Sequence, residues 1–344
     1  MTIEIFRWHI GPLHEILKRF GKLSQAYLIH GREGIGKVEF ARALAQSLLC
    51  ENADQGGIAC GTCPACHWFT QGNHPDFREI IPAALQADAD GEEEETVAES
   101  AKPEKKSTQI TIDQVRDLGQ LVALSTHRDG YRVVLIHPAE AMNQAAANAL
   151  LKTLEEPTPR TLILLVTSRP GRLMATVRSR CQKLLIAGPA LADALAWLKI
   201  EGVDEPAILL AQAGGAPLLA RDWADADYQT QRRNFLNALG DPTQGDWVTL
   251  AASVEKADLR DVVRWLQTWC SDLIYQKSAG QIRHNPDFRP AVERVAQSAQ
   301  LVALFRYEST LRRARRTISH PLNARLLLEQ LLISYVDTVI SPSR

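Results

Sequence analysis

Apolar residues in the first half of the chain fall into short uninterrupted runs, separated by stretches of helical period. The runs lie at residues 26–29, 77–81, 131–136, 162–166 and 184–186. Runs of this length without polar alternation predict strands buried on both faces of a parallel sheet. Between them, residues 12–20, 40–49 and 145–154 read as helices, and Ile112, Val115, Leu118 and Val122 set a helical stripe over 112–124. Pro157 and Pro159 stop the helix at 145–154. Five strands alternating with helices predict an α/β domain. Its five-stranded parallel sheet would carry helices on both faces and ligands at the carboxyl ends of the strands. Beyond Pro189 the pattern changes. Amphipathic stretches at 190–199, 262–275, 291–304 and 326–339 predict all-α structure.

The length of 344 residues exceeds one ordinary core and predicts two or three domains. The apolar runs are too short to cross a bilayer. Residues 1–10 hold Glu4 and Arg7 among apolar side chains and show no cleavage signature, so a cytoplasmic protein is expected. Charge changes the picture in one place. Residues 82–107 carry eight acidic side chains against three lysines, which leaves the remainder of a chain of net charge −1 basic. That segment is too poor in large apolar residues to offset the entropy of ordering. It is expected to be a disordered, solvated acidic insertion.

Residues 30–38, His-Gly-Arg-Glu-Gly-Ile-Gly-Lys-Val, join the first strand to the next helix. Gly31, Gly34, Gly36 and Lys37 fit the phosphate loop G-x-x-x-x-G-K-[S/T] in the strand–loop–helix setting it needs. Glycines let backbone N–H groups surround a phosphate, the helix N-terminus adds its positive end, and lysine neutralises charge. The last position holds Val38, which has no oxygen for Mg²⁺. Two readings stay open. The favoured one is a tight turn retained for packing, with ATP binding absent; the other is residual nucleotide binding through the backbone and Lys37.

Cys60, Cys63 and Cys66 make two overlapping C-x-x-C steps, with Cys50 at the end of the preceding helix. Four thiolates close a tetrahedral zinc site, and a closed site is structural. Cys50 is the preferred fourth ligand, with His67 or His74 as alternatives. An iron–sulfur cluster is the second candidate, but its common bacterial run needs a further cysteine before proline, and His67 follows Cys66 here. In a cytosolic chain the six cysteines point to metal or buried thiols rather than disulfides. Cys181 and Cys270 read as core thiols.

Three further stretches carry a resemblance. Asn148 through Pro157 reads Asn-Ala-Leu-Leu-Lys-Thr-Leu-Glu-Glu-Pro, Leu165 through Ser168 reads Leu-Val-Thr-Ser, and Arg178-Ser179-Arg180-Cys181 follows. With the cysteine box and Asn73-His74-Pro75-Asp76, the chain resembles bacterial clamp loader subunits of the AAA+ family, and within them the delta-prime type of DNA polymerase III. The resemblance runs over nearly the whole chain. It implies an AAA+ nucleotide-binding-like domain at 1–187, with a zinc module at 50–66, a small helical lid at 188–224 and a helical oligomerisation collar at 225–344. It also implies an assembly with the gamma/tau motor subunits and the delta subunit, which opens a sliding clamp and places it on primer-template DNA.

Within that family, motor subunits hydrolyse ATP and delta-prime does not. In the motors the strand matching 132–136 ends in Asp-Glu, which position metal and water; here His137 and Pro138 stand there. Imidazole is a poor ligand for a hard cation and proline is no base. The lid motif resembles Gly214-Gly215-Ala216-Pro217, with Pro217 where the family carries a phosphate-sensing arginine. The chain alone is therefore expected not to be an enzyme, but a subunit of a DNA-directed DNA polymerase, a nucleotidyltransferase as an assembly. An ATP-hydrolysing motor of the same loader is the alternative. The resemblance assigns Arg180, flanked by Ser179 and Cys181, as an arginine finger reaching a neighbour's γ-phosphate, with Arg178 as its companion. A helix-capping arginine is the competing reading. Glu140 is expected to be an ordinary solvated glutamate. Arg312, Arg313, Arg315 and Arg316 form the densest basic cluster, read chiefly as a solvated face or intersubunit salt bridges.

Overall fold

The computed structural model describes residues 5–19, 21, 23–90, 107–123, 130–156, 158–242, 246–255, 257–318 and 323–339. The chain divides into two compact units, Met1–Ala190 and Leu191–Arg344.

The first unit is built on one sheet of β1 (Ala26–His30), β2 (Phe77–Ile80), β3 (Arg132–Ile136), β4 (Thr161–Thr167) and β5 (Gln182–Leu185). The order is β2-β3-β4-β1-β5 and every neighbouring pair is parallel. Leu28 lies opposite Leu165, Ile136 opposite both Ile80 and Leu165, and His30 opposite both Thr167 and Leu185. This register brings the carboxyl ends of the strands to one rim. β3 and β4 are buried throughout, as continuous apolar runs require. β5 begins before the apolar run because Gln182 and Lys183, both exposed, continue its pairing with β1 along the edge of the sheet.

Helices α1 (Arg7–Leu17), α2 (Lys37–Leu49), α3 (Pro64–Thr70), α4 (Ala83–Asp90), α5 (Ile112–Ala123), α6 (Gln144–Glu155) and α7 (Ala175–Ser179) complete this unit. Asn143 caps α6, its side chain accepting from the Ala146 N–H at 2.8 Å. α1 begins earlier than expected and encloses Pro12. Its buried stripe of His9, Leu13, Ile16 and Leu17 fixes it against the unit despite the missing donor. The acidic segment needs a correction: Ala83–Asp90 is helical, and the Ala84 N–H donates to the Ser107 carbonyl at 3.0 Å. The expected disorder from 82 onward starts too early, and residues 91–106 lie outside the described residues.

The second unit is helical: α8 (Leu191–Ile200), α9 (Pro206–Gln212), α10 (Pro217–Asp222), α11 (Ala226–Gly240), α12 (Trp247–Ser253), α13 (Leu259–Ala279), α14 (Arg289–Ser298), α15 (Leu301–Thr317) and α16 (Ala324–Val339). α8, α9 and α10 pack on one another. α11 to α16 surround a core in which Trp269 Nε1 donates to the Tyr335 hydroxyl at 2.9 Å, and that hydroxyl donates to the Leu239 carbonyl at 2.7 Å. The amphipathic stretch at 291–304 is two helices. Ala299 and Gln300 interrupt it while Val292, Val295, Ala296, Ala299 and Leu304 keep the buried side continuous. Buried Asp272 accepts from the backbone N–H groups of Arg283, His284 and Asn285, which fixes the turn after α13. Among the described residues no helix is long and apolar enough to cross a membrane.

Candidate functional site

The glycine loop leaves β1 at Gly31 and enters α2 at Lys37. Gly34 and Gly36 adopt φ of 73° and 87°, a region glycine enters without penalty. A side chain at 31 would strike the Ile186 carbonyl, and one at 36 would lie 2.6 Å from the Phe6 ring and 2.7 Å from His9. The Ile35 carbonyl receives Trp8 Nε1 and His9 Nε2, both at 3.0 Å. A carbonyl only accepts, so His9 carries its proton on Nε2, and its enclosed Nδ1 has no hydrogen-bond partner among the described residues. Burial pushes the His9 pKa down to about 4, against the opposing bond to Ile35. Lys37 is 6% exposed, and its Nζ donates to the Arg32 carbonyl of its own loop at 2.5 Å. Burial pulls its ammonium below the usual range, while the carboxylates of Glu33, Glu140 and Glu39 oppose that shift. Glu140 is thus no solvated glutamate. The 3₁₀ turn Ala139–Ala141 half-buries it, its charge acts on Lys37, and its Oε2 is enclosed without a partner among the described residues.

His137 follows β3 directly at the carboxyl rim. Its Nε2 lies 2.7 Å from Glu79 Oε1 of β2, and the same oxygen receives Arg42 Nε at 2.9 Å and Nη2 at 2.8 Å from α2. Burial raises the Glu79 pKa, but the bonds from His137 and Arg42 outweigh it and hold the carboxyl below its ordinary value. The cluster pairs its charges internally. Pro217 opens α10 at the first helical position, where its fixed φ suits the turn.

Arg180 stands at the C-cap of α7, just before the amino end of the edge strand β5. Its Nη1 donates to the Thr176 carbonyl at 3.1 Å and its Nη2 pairs with Glu155 Oε1 of α6 at 2.5 Å. Ser179 Oγ donates to the Thr176 carbonyl at 3.0 Å, and Cys181 Sγ to the Val177 carbonyl at 3.3 Å. Arg178 Nη1 reaches the Pro170 carbonyl at 3.3 Å. Cys181 and Cys270 are buried thiols, with burial pushing their pKa values up to about 11 and about 12.

The structure brings Cys50, Cys60, Cys63 and Cys66 together, with all four Sγ atoms within 4.8 Å of one another. Cys50 Sγ is 3.5 Å from Cys60 Sγ and 3.9 Å from Cys63 Sγ. Four sulfurs each about 2.3 Å from one ion would lie about 3.8 Å apart, so the set fits a tetrahedral metal. Hydrogen bonds from Thr62 pull the Cys60 pKa down to about 6, whereas burial raises Cys50 and Cys66. His74 is not in the set: its Nδ1 accepts from the Asp76 N–H at 3.1 Å. Asp76 in turn forms a buried pair with Arg132 at 3.6 Å, tying the start of β2 to β3.

The loop, the His137 strand end and Arg180 were marked by motif. Their partners were not: Trp8, His9, Arg42, Glu79 and Glu155 touch these groups through tertiary packing that no sequence spacing specifies. Glu155 falls inside the stretch 148–157, but nothing in that stretch pairs it with Arg180.

A parallel sheet in this order, a glycine loop between β1 and α2, and an arginine between α7 and the amino end of β5 define an AAA+-type α/β domain, here followed by a helical unit. Residues 10–189 match the family described as DNA polymerase III, delta subunit, and residues 226–336 match its C-terminal part. The chain is 32% identical over 348 residues to DNA polymerase III subunit delta' of Pseudomonas aeruginosa, covering 97% of this chain and 98% of that one. It is 31% identical over 258 residues to subunit delta' of Escherichia coli, covering 74% and 71%. DNA polymerase III subunit tau of Escherichia coli is 32% identical over 161 residues, 47% of this chain and 21% of that protein. The chain belongs to the DNA polymerase III delta-prime subunit family.

Proposed function

We propose that this chain is the non-hydrolysing delta-prime subunit of the DNA polymerase III clamp loader, and that it supplies Arg180 in trans to a neighbouring ATPase subunit. The observation that carries this reading is the contrast between the two ends of one sheet, with His137 beyond the carboxyl end of β3 and Arg180 before the amino end of β5. Where metal-holding carboxylates are needed, His137, Glu79 and Arg42 satisfy one another, Val38 offers no oxygen, and Lys37 is turned onto its own loop. Phosphoryl transfer depends on positioned metal and charge stabilisation, so this loop is not expected to turn over ATP. Arg180, by contrast, is only partly covered and keeps donors available.

In the neighbour's reaction a water oxygen bonds to the γ-phosphorus as the bond to the β–γ bridging oxygen breaks, releasing ADP and phosphate. Arg180 adds no atom. Its guanidinium lowers the energy of the charge that builds up on those oxygens, and it suits that task as a permanently charged planar fork. The partners are the gamma/tau motor subunits and delta, with the sliding clamp and primer-template DNA engaged through the assembly, in the cytoplasm. The lid at 188–224 and the collar at 225–344 divide the helical unit, the collar serving oligomerisation. The cysteine set would hold structural zinc, adding rigidity to the α2–α3 connection and no chemistry. The test is Arg180→Ala in loader complexes reconstituted with the motor and delta subunits. Assembly should persist while clamp- and DNA-stimulated ATP hydrolysis falls at the site facing this subunit. Normal turnover in intact complexes would falsify the trans role.

A further inference from the structure

Three side chains around Arg180 fix the backbone: Arg178, Ser179 and Cys181 each bond to a main-chain carbonyl of Pro170, Thr176 or Val177. The Arg180 side chain remains the mobile part, with several rotatable bonds and a large entropy to lose. Glu155 removes that freedom, holding Nη2 while the Thr176 carbonyl holds Nη1. Glu155 is the last residue of α6, at the negative end of the helix dipole, where a carboxylate is locally unfavourable. Its partner explains its place better than its helix does. The pair is 37% and 49% exposed, so it contributes little stability. Its consequence is geometric. A guanidinium carries five N–H donors. Nη1 donates to one carbonyl and Nη2 sits in the ion pair, which leaves N–H donors for a further anion.

Resting on the trans reading above, we propose that Glu155 is a positioning residue. It holds the Arg180 guanidinium in one orientation, so that the remaining donors meet the triphosphate oxygens presented by the neighbouring subunit without a search through rotamers. The contrary role is a brake: a carboxylate that neutralises the guanidinium and repels phosphate until displaced.

The experiment uses complexes reconstituted with motor and delta subunits, clamp and primed DNA, carrying Glu155→Ala or Glu155→Gln with and without Arg180→Ala. Misplacement by about 1 Å can cost roughly 10²-fold, and a guanidinium that still visits the productive rotamer loses less. Glu155→Ala and Glu155→Gln should therefore lower kcat about tenfold while KM for ATP, set by the neighbour's own pocket, stays put. Glu155→Asp should recover part of the loss. In the Arg180→Ala background, Glu155→Ala should cost nothing further. Unchanged or raised kcat in assembled Glu155→Ala complexes overturns the proposal, a rise favouring the brake. An equal proportional loss in the Arg180→Ala background also overturns it, since Glu155 would then act elsewhere. If Arg180→Ala lowers turnover and Glu155→Ala does not, only the positioning role fails. If Arg180→Ala is itself silent, the trans reading fails and takes this one with it.

Discussion

The His137 imidazole and the Glu79 carboxylate meet at 2.7 Å across the carboxyl ends of two neighbouring strands, with Arg42 closing the cluster from α2. The resemblance to the motor subunits places their metal- and water-positioning carboxylates at this strand end. Here the single carboxylate is already shared by two side chains of this chain. A divalent cation there would share that one carboxylate with the Arg42 guanidinium, whereas Mg²⁺ prefers several oxygens in octahedral array.

The chain alone should therefore show no ATP turnover above background, and Val38→Thr should not restore it. The new hydroxyl could help hold Mg²⁺, but His137 and Pro138 still provide no water-orienting carboxylate. Steady-state phosphate release from the purified variant checks this. Turnover well above that of the parent would mean that the catalytic strand end lies elsewhere.

About one zinc ion per chain is expected on elemental analysis, held by the four clustered cysteines. Cys63 is a buried member of that set and the N-cap of α3, its Sγ accepting from the Cys66 N–H at 3.4 Å. Cys63→Ser should thus release the metal and lower the melting temperature of the chain. In assembled complexes that still form, ATP turnover should change less than stability does. Fully folded protein that contains no metal when purified without chelator would sink the idea.

Stability should fall on acidification, and His9 should account for much of the fall above pH 4. Its folded pKa of about 4 lies below its ordinary 6.5. Between those values the unfolded chain takes up a proton that the folded chain refuses, so the contribution is complete above pH 6.5 and is lost as pH falls towards 4. Its size is at most roughly 3 kcal/mol. Burial of His74 acts in the same direction. Glu79, held low by His137 and Arg42, adds a loss below its ordinary 4.5. His9→Gln keeps a side-chain donor for the Ile35 carbonyl without titrating there. Urea unfolding between pH 4 and 7 should give a flatter profile for that variant, and parallel profiles would acquit His9.

The sheet was legible because buried parallel strands leave continuous apolar runs, and the cysteine set because two-residue spacing aims thiols at one point. The misplaced boundaries share a cause: each lies where burial and secondary structure part company. β5 is an edge strand whose pairing extends through exposed Gln182 and Lys183. α4 forms in a segment of low apolar content. The break between α14 and α15 leaves the apolar side unbroken, so periodicity shows one helix where there are two. The apolar pattern places the start of α1 at Pro12, although its anchoring side chain, His9, precedes it. At the candidate sites, motif spacing identified the loop and the arginine, while Trp8, Glu79 and Glu155 reach them only through the fold.

Arg180→Lys separates charge from geometry. Lysine keeps the positive charge and could still pair with Glu155, but it presents a compact ammonium rather than a planar fork, so it cannot bind Glu155 with one nitrogen and a phosphate with another. Arginine fingers are worth roughly 10³–10⁵ in turnover. If the fork is what matters, complexes carrying Arg180→Lys should fall much nearer to Arg180→Ala than to the parent, both in ATPase rate and in clamp loading. The isolated chain should keep its melting temperature, because the ion pair with Glu155 is half exposed and worth under about 1 kcal/mol. Near-parental turnover by Arg180→Lys would show that charge alone suffices, and the two-point hold on the guanidinium would then have no catalytic meaning. Loss of assembly by Arg180→Lys and Arg180→Ala alike would instead make Arg180 a contact residue of the subunit interface.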